Sequence, residues 1–67
     1  MLLNAVEIRQ KLLDKITKEI EEYEDAISSG SCNSYADYKA YCGHIRGLRL
    51  AEKVINDTVE ELTEEEN

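Results

Sequence analysis

Apolar residues recur at intervals of three or four positions along two long segments of the chain. In the first segment they form a heptad-like line, interrupted at Arg9, that consists of Val6, Leu13, Ile16, Ile20, Tyr23 and Ile27. Such spacing keeps side chains on one face of an α-helix, which has 3.6 residues per turn. A first helix is therefore predicted over about residues 2–28.

The first half of this helix carries a wider apolar face than the second half. Ala5, Ile8 and Leu12 form another line beside the heptad-like one. A narrow apolar line suits one neighbouring helix, whereas a wide face suits two. We therefore expect part of this face, including Leu2, Val6 and Ile8, to contact another protein chain.

A short polar segment separates the two apolar patterns and predicts a turn over about residues 29–34. Gly30 fits the left-handed position just after a helix end. Ser34 fits a helix N-cap, and Asp37 follows it at the spacing of a capping box. Connections this short join antiparallel neighbours in helical proteins.

The second helix is predicted over about residues 35–62, with an acidic tail at 63–67. Glu52 interrupts its apolar line, which consists of Tyr38, Tyr41, Ile45, Leu48, Ile55, Val59 and Leu62. The two helices match in length, so each can cover the apolar line of the other. The predicted fold is all-α: a two-helix antiparallel hairpin that forms a single domain over residues 1–67.

Size and composition limit how such a hairpin is stabilised. A chain of 67 residues has a thin core, and domains of this size usually need a metal, disulfides or association with another chain. The chain has two cysteines and one histidine, too few for the usual four-ligand zinc site. We expect no metal and no cofactor, free thiols at Cys32 and Cys42, and a hairpin that is oligomeric or docked on a larger protein.

The charge balance narrows the classes of partner. The formal net charge is −7, which argues against direct binding of nucleic acids, because their affinity comes largely from phosphate neutralisation. No apolar run approaches the length of a membrane span, and the amino-terminal segment lacks the pattern of a signal peptide. The expected partners are therefore proteins.

Two glycines inside the second helix call for an explanation, because glycine costs about 1 kcal/mol there relative to alanine. Gly43 and Gly47 lie on one face, in line with Leu50 and Val54. Three interpretations remain open: close packing inside the hairpin, a groove for another chain, or a local kink. We include Gly43, Gly47 and Leu50 in the predicted protein-interaction site.

Three further groups of side chains admit a structural or a functional interpretation. The four tyrosines form either a cluster that closes the hairpin or a binding patch. A basic stripe consists of Arg46, Arg49 and Lys53. It either forms ion pairs within its own helix and across the hairpin, where Asp14 and Glu7 are expected within reach, or contacts an acidic partner. The acidic carboxyl-terminal end is either a solvated tail or a docking element for a basic surface.

No catalytic constellation is present in the sequence. His44 is the only histidine, and no glycine-rich phosphate loop or Ser/His/Asp set occurs. A two-helix hairpin also offers no concave site in which carboxylates lose their water. We therefore expect that the protein is not an enzyme.

One stretch of the second helix resembles small helical proteins of tailed bacteriophages. The resemblance is carried by Tyr35-x-x-Tyr38 and by Gly43-x-Ile45-x-Gly47-Leu48-x-x-Ala51. It implies a virion structural or assembly accessory protein that is located in the bacterial host cytoplasm or in the virion. Its partners would be copies of itself or larger virion components. The alternative is a small acidic phage inhibitor that occupies a basic groove of a host nucleic-acid-binding protein.

Overall fold

The structure, a computed structural model, describes residues 4–65 and the side chains of residues 4–63. Two α-helices, α1 (Ala5–Ser28) and α2 (Tyr35–Glu65), pack against each other as a helical hairpin. Residues 4–65 include no β-strand. The predicted all-α hairpin is therefore confirmed, while the expected oligomeric or docked state stays a prediction.

The first helix begins at a cap formed by Asn4. The side-chain oxygen of Asn4 accepts a hydrogen bond from the backbone N–H of Glu7 at 2.9 Å, and its amide donates to the Glu7 carboxylate at 2.8 Å. This reciprocal pair satisfies one of the unpaired N–H groups at the helix start. The cap explains why α1 begins at Ala5 and not at about residue 2, and Leu2 lies outside the described residues.

The end of α1 is fixed by a left-handed glycine. Gly30 has a φ of 79°, as predicted from its position after the helix. The backbone N–H of Ser31 donates to the carbonyl of Ala26 at 2.9 Å, and that of Gly30 donates to the carbonyl of Ile27 at 3.3 Å. These two bonds define a Schellman turn, which reverses the chain without leaving the last carbonyls of α1 unpaired.

The second helix begins with the predicted cap. The backbone N–H of Asp37 donates to the Ser34 hydroxyl at 3.1 Å, and the Asp37 carboxylate accepts from the backbone N–H of Asn33 at 3.3 Å. This arrangement is a capping box displaced by one residue, because the carboxylate reaches Asn33 and not Ser34 itself. Both ends of the connecting segment are thus held by local hydrogen bonds.

The second helix is longer than expected. It continues to Glu65, three residues beyond the predicted end at about 62, so the predicted acidic tail at 63–67 begins inside the helix. The hydroxyl of Thr63 bonds to the carbonyls of Val59 and Glu60, both at 3.0 Å, and this contact suits a residue still in the helix. Residues 66 and 67 lie outside the described residues.

The core between the helices is very small. Ile20 is the one buried residue among those described, with 6 % of its surface exposed. The rest of the interface is half-buried, and on α1 it consists of Ala5, Arg9, Leu13, Ile16, Tyr23, Ala26 and Ile27. On α2 it consists of Asp37, Tyr41, Cys42, Ile45, Leu48, Ala51, Glu52, Ile55, Val59 and Thr63. Arg9 and Glu52, which interrupt the two apolar lines, therefore lie along the interface and not on the outer surface.

Replacement of Ile20 by alanine tests this core. Ile20→Ala should lower the free energy of unfolding by about 2–4 kcal/mol, because it removes buried methyl groups and leaves a cavity. Leu62→Ala is the matched control, since Leu62 is 50 % exposed and should lose less than about 1 kcal/mol. Urea denaturation followed by circular dichroism measures both, and equal losses would contradict the placement of the core.

The cap at Ser34 is tested by a pair of substitutions. Ser34→Ala should destabilise the hairpin by about 1 kcal/mol, because the N–H of Asp37 loses its acceptor, whereas Ser34→Asp should retain stability. The same denaturation experiment measures both variants. A Ser34→Asp variant as unstable as Ser34→Ala would show that the side-chain acceptor is not what stabilises this helix start.

Candidate interaction surface

A stack of aromatic rings sets how the two helices align. The ring of Tyr23 on α1 lies edge-on to Tyr41, with 5.4 Å between centroids, and stacks on His44 at 5.0 Å. Tyr35 and Tyr38 instead stack on each other at 6.2 Å, and they remain 73 % and 44 % exposed. The predicted contact across the hairpin is confirmed for Tyr23 and Tyr41. Tyr35 and Tyr38 form a separate exposed pair, so one cluster of all four rings is wrong and a binding patch stays a prediction.

The basic stripe of α2 does not pair with the carboxylates expected from the sequence. Arg49 approaches Glu24 at 3.4 Å, and Lys53 bonds to Asp57 on its own helix at 2.9 Å. Asp14 and Glu7, the expected partners, instead accept hydrogen bonds from side chains one turn away on α1. Ion pairs of both predicted kinds, across the hairpin and within the helix, are therefore present, but the expected partners Asp14 and Glu7 were wrong. Arg49 instead meets a carboxylate that lies nearer the turn.

Both helical glycines face open space. Apart from its chain neighbours and the nearby backbone of α2 itself, a Cβ atom built on Gly43 or Gly47 would meet no atom of the described residues within 4 Å. The interpretation that these glycines allow close packing inside the hairpin is therefore wrong. The helix continues through both positions, which is compatible with a groove for another chain and with a local kink, so both interpretations stay predictions.

The glycines belong to a longer exposed line along α2, which we call the outer line. Its eight members follow one another at alternating steps of four and three residues, and all are exposed: Ala36, Ala40, Gly43, Gly47, Leu50, Val54, Asp57 and Glu61. At about 100° per residue, this line lies on the side of α2 away from Tyr41 and Leu48, which face α1. Leu50 and Val54 keep 62 % and 55 % of their surfaces exposed. The second helix thus has an apolar stretch on each of two sides.

A second exposed apolar patch lies on the first half of α1. Val6, Ile8 and Leu12 remain 44–53 % exposed beside the half-buried interface residues. At about 100° per residue, Ile8 and Leu12 share one side of α1 and Val6 lies on the other, so we call Ile8 and Leu12 the α1 patch. It shows that the wide apolar face predicted from the sequence is left uncovered in the hairpin, although its expected contact with another chain stays a prediction.

Two shallow grooves meet at Glu19 along one side of the hairpin. One groove runs along α1 past Leu12 and Ile16, and the other crosses from Tyr23 to the two glycines and His44. The second has a volume of about 320 Å³, near the lower limit of small-molecule sites, and it is open to solvent. Its shape therefore suits another helix better than an enclosed ligand.

The titratable and metal-ligating groups are scattered over the surface. Among the described residues, no three His, Cys, Asp or Glu side chains lie close enough together to hold a metal ion. Cys32 and Cys42 are free thiols and half-buried. The Cys42 side chain raises the pKa of Tyr38 above its ordinary value, and the hydrogen bond to Asp57 raises the pKa of Lys53.

Within residues 4–65, neither helix has an apolar stretch long enough to cross a membrane.

Comparison with known proteins adds no relative. No protein-family model matches the chain, and no curated protein or solved structure shows significant similarity to it. The interpretation of function therefore depends on the exposed surfaces themselves.

Sequence reasoning selected part of this surface and missed part of it. The structure shows four predicted interaction residues to be exposed apolar or glycine positions in addition to Val6: Ile8, Gly43, Gly47 and Leu50. It also adds Ala36 and Ala40, which extend the glycine pair towards the start of α2. The four-residue spacing Ala36, Ala40 and then Gly43, Gly47 was available in the sequence as a signal of a line of small side chains.

Alanine substitutions at the glycines test whether they face open space. Gly43→Ala and Gly47→Ala should each stabilise the isolated hairpin by about 0.5–1 kcal/mol, because alanine favours the helix and its Cβ meets nothing. Thermal unfolding at low protein concentration measures the effect. Gly30→Ala is the opposite control and should destabilise, since its φ of 79° disfavours a side chain. Destabilisation by the two helical substitutions would restore the close-packing interpretation.

Proposed function

We propose that this protein is a non-enzymatic interaction module that works by packing its helical surfaces against other protein chains. The observation that carries the proposal is that apolar residues of both helices lie on the outside while Ile20 alone among the described residues is buried. A helix that presents apolar positions on two sides is typical of a protein that packs against more than one neighbour.

The exposed area of the chain supports this proposal. The chain exposes 5386 Å² of surface, whereas a folded monomer of 7.7 kDa typically exposes about 4,300 Å². The excess of roughly 1,000 Å² is similar to the area of about 800 Å² that each partner buries in a standard protein interface. Association with one further chain would therefore bring the exposed area close to that of an ordinary small protein.

The resemblance of α2 to small tailed-phage proteins gives this module a biological setting. We propose a virion structural or assembly accessory role, in which the α1 patch docks on a larger virion component in the bacterial host cytoplasm or in the virion. The net charge of −7 favours protein partners over nucleic acid. No metal or cofactor enters the proposal.

The alternative role as an acidic inhibitor of a host nucleic-acid-binding protein has less support from the geometry. Twelve of the fifteen acidic residues fall into two groups along the sequence, five at 19–25 and seven at 52–66, and Glu7, Asp14 and Asp37 lie outside them. Basic residues of α2, including Arg49 beside Glu24, lie next to the first group. A mimic of nucleic acid needs a continuous negative surface, and these two groups do not form one.

Affinity capture at two salt concentrations tests the proposed role. The full chain carrying a tag is incubated with lysate of the infected bacterial host, and captured proteins are identified by mass spectrometry. Virion components should remain bound at about 1 M salt, because apolar contacts are little screened there. Ile8→Lys should abolish their capture, since it places a charge in the α1 patch.

Gln10→Lys is the matched control, because it adds the same charge at an exposed polar position of the same helix. Equal capture by the Ile8→Lys variant and the wild-type chain would show that the α1 patch is not the docking surface. Capture of a host nucleic-acid-handling protein that is lost at high salt would instead support the acidic inhibitor.

A further inference from the structure

We infer that the outer line of α2 binds a second copy of this chain, with the two α2 helices packed antiparallel about a two-fold axis. The inference rests on the proposed function, since it names the occupant of one of its two exposed surfaces. Two-fold dimers use the same patch on both subunits, so the patch must be complementary to itself. This requirement can be checked by comparing the side chains of the outer line, read from one end, with the same side chains read from the other end.

Side-chain size along the outer line meets this requirement. Its first four members are alanine or glycine, and its last four are larger residues. The steps between its members read the same from either end of the line. An antiparallel second copy therefore places each small residue opposite a large one. The four pairs are Ala36 with Glu61, Ala40 with Asp57, Gly43 with Val54, and Gly47 with Leu50 of the second copy.

The glycines sit where the dimer would be tightest. The centre of symmetry falls between Leu48 and Arg49, so the Gly47–Leu50 pair lies nearest to the axis. Beyond the adjacent residues and the nearby backbone of α2, no described atom lies within 4 Å of either Cβ position, which leaves room for the Leu50 and Val54 side chains of the second copy. Helices that meet at glycine can approach closely and gain contacts along their backbones.

One pair of charges beside the outer line matches in the antiparallel direction. Lys39 and Glu60 flank the line at opposite ends of α2, and reversal brings Lys39 next to Glu60 of the second copy. Reversal also brings Arg46 next to Lys53 of the second copy, a like-charge contact that opposes the dimer and that the Asp57 carboxylate, 2.9 Å from Lys53, offsets in part. In a parallel pair, Lys39 would meet Lys39, and the pairing of each small residue with a large one would be lost.

The outer line and the α1 patch belong to different helices. Leu12 and the two glycines line grooves that meet at Glu19, so both surfaces open on the same side of the hairpin. A substitution at Gly47 changes α2 alone and one at Ile8 changes α1 alone, so the two surfaces can be tested one at a time.

The oligomeric state of the purified full-length protein tests the inference. Sedimentation velocity at concentrations from about 1 to 200 µM should show a monomer that becomes a dimer. Gly47→Leu should remain a monomer at the highest concentration with its helical circular dichroism unchanged, because a leucine side chain fills the space that Leu50 of the second copy occupies. Asn56→Leu is the matched control, since it adds leucine at an exposed position of α2 outside the outer line, and it should dimerise like the wild type.

A charge exchange tests the antiparallel direction. Lys39→Glu and Glu60→Lys should each weaken the dimer about tenfold, because each creates two like-charge contacts about the axis. The double variant should recover the wild-type dissociation constant. Failure of the double variant to recover it would overturn the antiparallel pairing.

A wild-type chain that stays monomeric at 200 µM would overturn self-association altogether. That outcome leaves the proposed docking role to be decided by capture through the α1 patch. Conversely, the wild type could dimerise and Gly47→Leu could lose the dimer, while Ile8→Lys captures the same proteins as the wild type. That pair of results would support self-association and reject the docking role.

Discussion

The contact between α1 and α2 around Ile20 is the interaction on which the rest of the structure depends. Two helices packed side by side cover only one stripe of each other, and among the side chains of residues 4–63 that stripe encloses a single buried residue. Small domains commonly compensate for a thin core with disulfides, metals or association. Cys32 and Cys42 are free in this structure, so cross-linking by a disulfide does not supplement the contact. The exposed apolar residues on both helices are the remaining route to further burial.

The charges along the helices favour antiparallel neighbours at the expense of the isolated helix. The first half of each helix carries more basic than acidic residues, and the second half carries more acidic residues. This order opposes the helix dipole, which prefers acidic residues at the amino-terminal end. An antiparallel neighbour places each acidic half beside a basic half, as Glu24 and Arg49 show within the hairpin. Exposed pairs of this kind contribute little energy, so their main effect is on the direction of packing.

Local sequence signals predicted the ends of the connection and the class of fold. Gly30 ends α1 through its positive φ, and Ser34 caps α2 through a side-chain acceptor. Both effects depend on nearby residues of the sequence, so they can be predicted without a structure. The alignment between the helices was not predictable in this way. It depends on how the Tyr23 ring fits between Tyr41 and His44, and that fit involves residues distant in sequence. The same alignment brought Glu24, and not Asp14, to Arg49.

The exposed surfaces were predicted only in part for a related reason. The wide apolar face of α1 followed from spacing alone, whereas the freedom of the glycines required knowledge of which side of α2 faces α1. Once that side was known, Ala36 and Ala40 joined the glycines in one exposed line. The partner of a surface is not encoded in its periodicity. For the outer line, only the comparison with its own reversed copy points to an occupant.

The central claim is that association completes the burial that the hairpin alone lacks. The most direct test is the concentration dependence of thermal unfolding of the wild-type chain, measured by circular dichroism over about a hundredfold range. Association of folded chains raises Tm with concentration, because it stabilises the folded state by mass action. The account predicts such a rise, with the steepest change near the dimer dissociation constant. A Tm that is the same at all concentrations would contradict it and would show that this thin core is sufficient by itself.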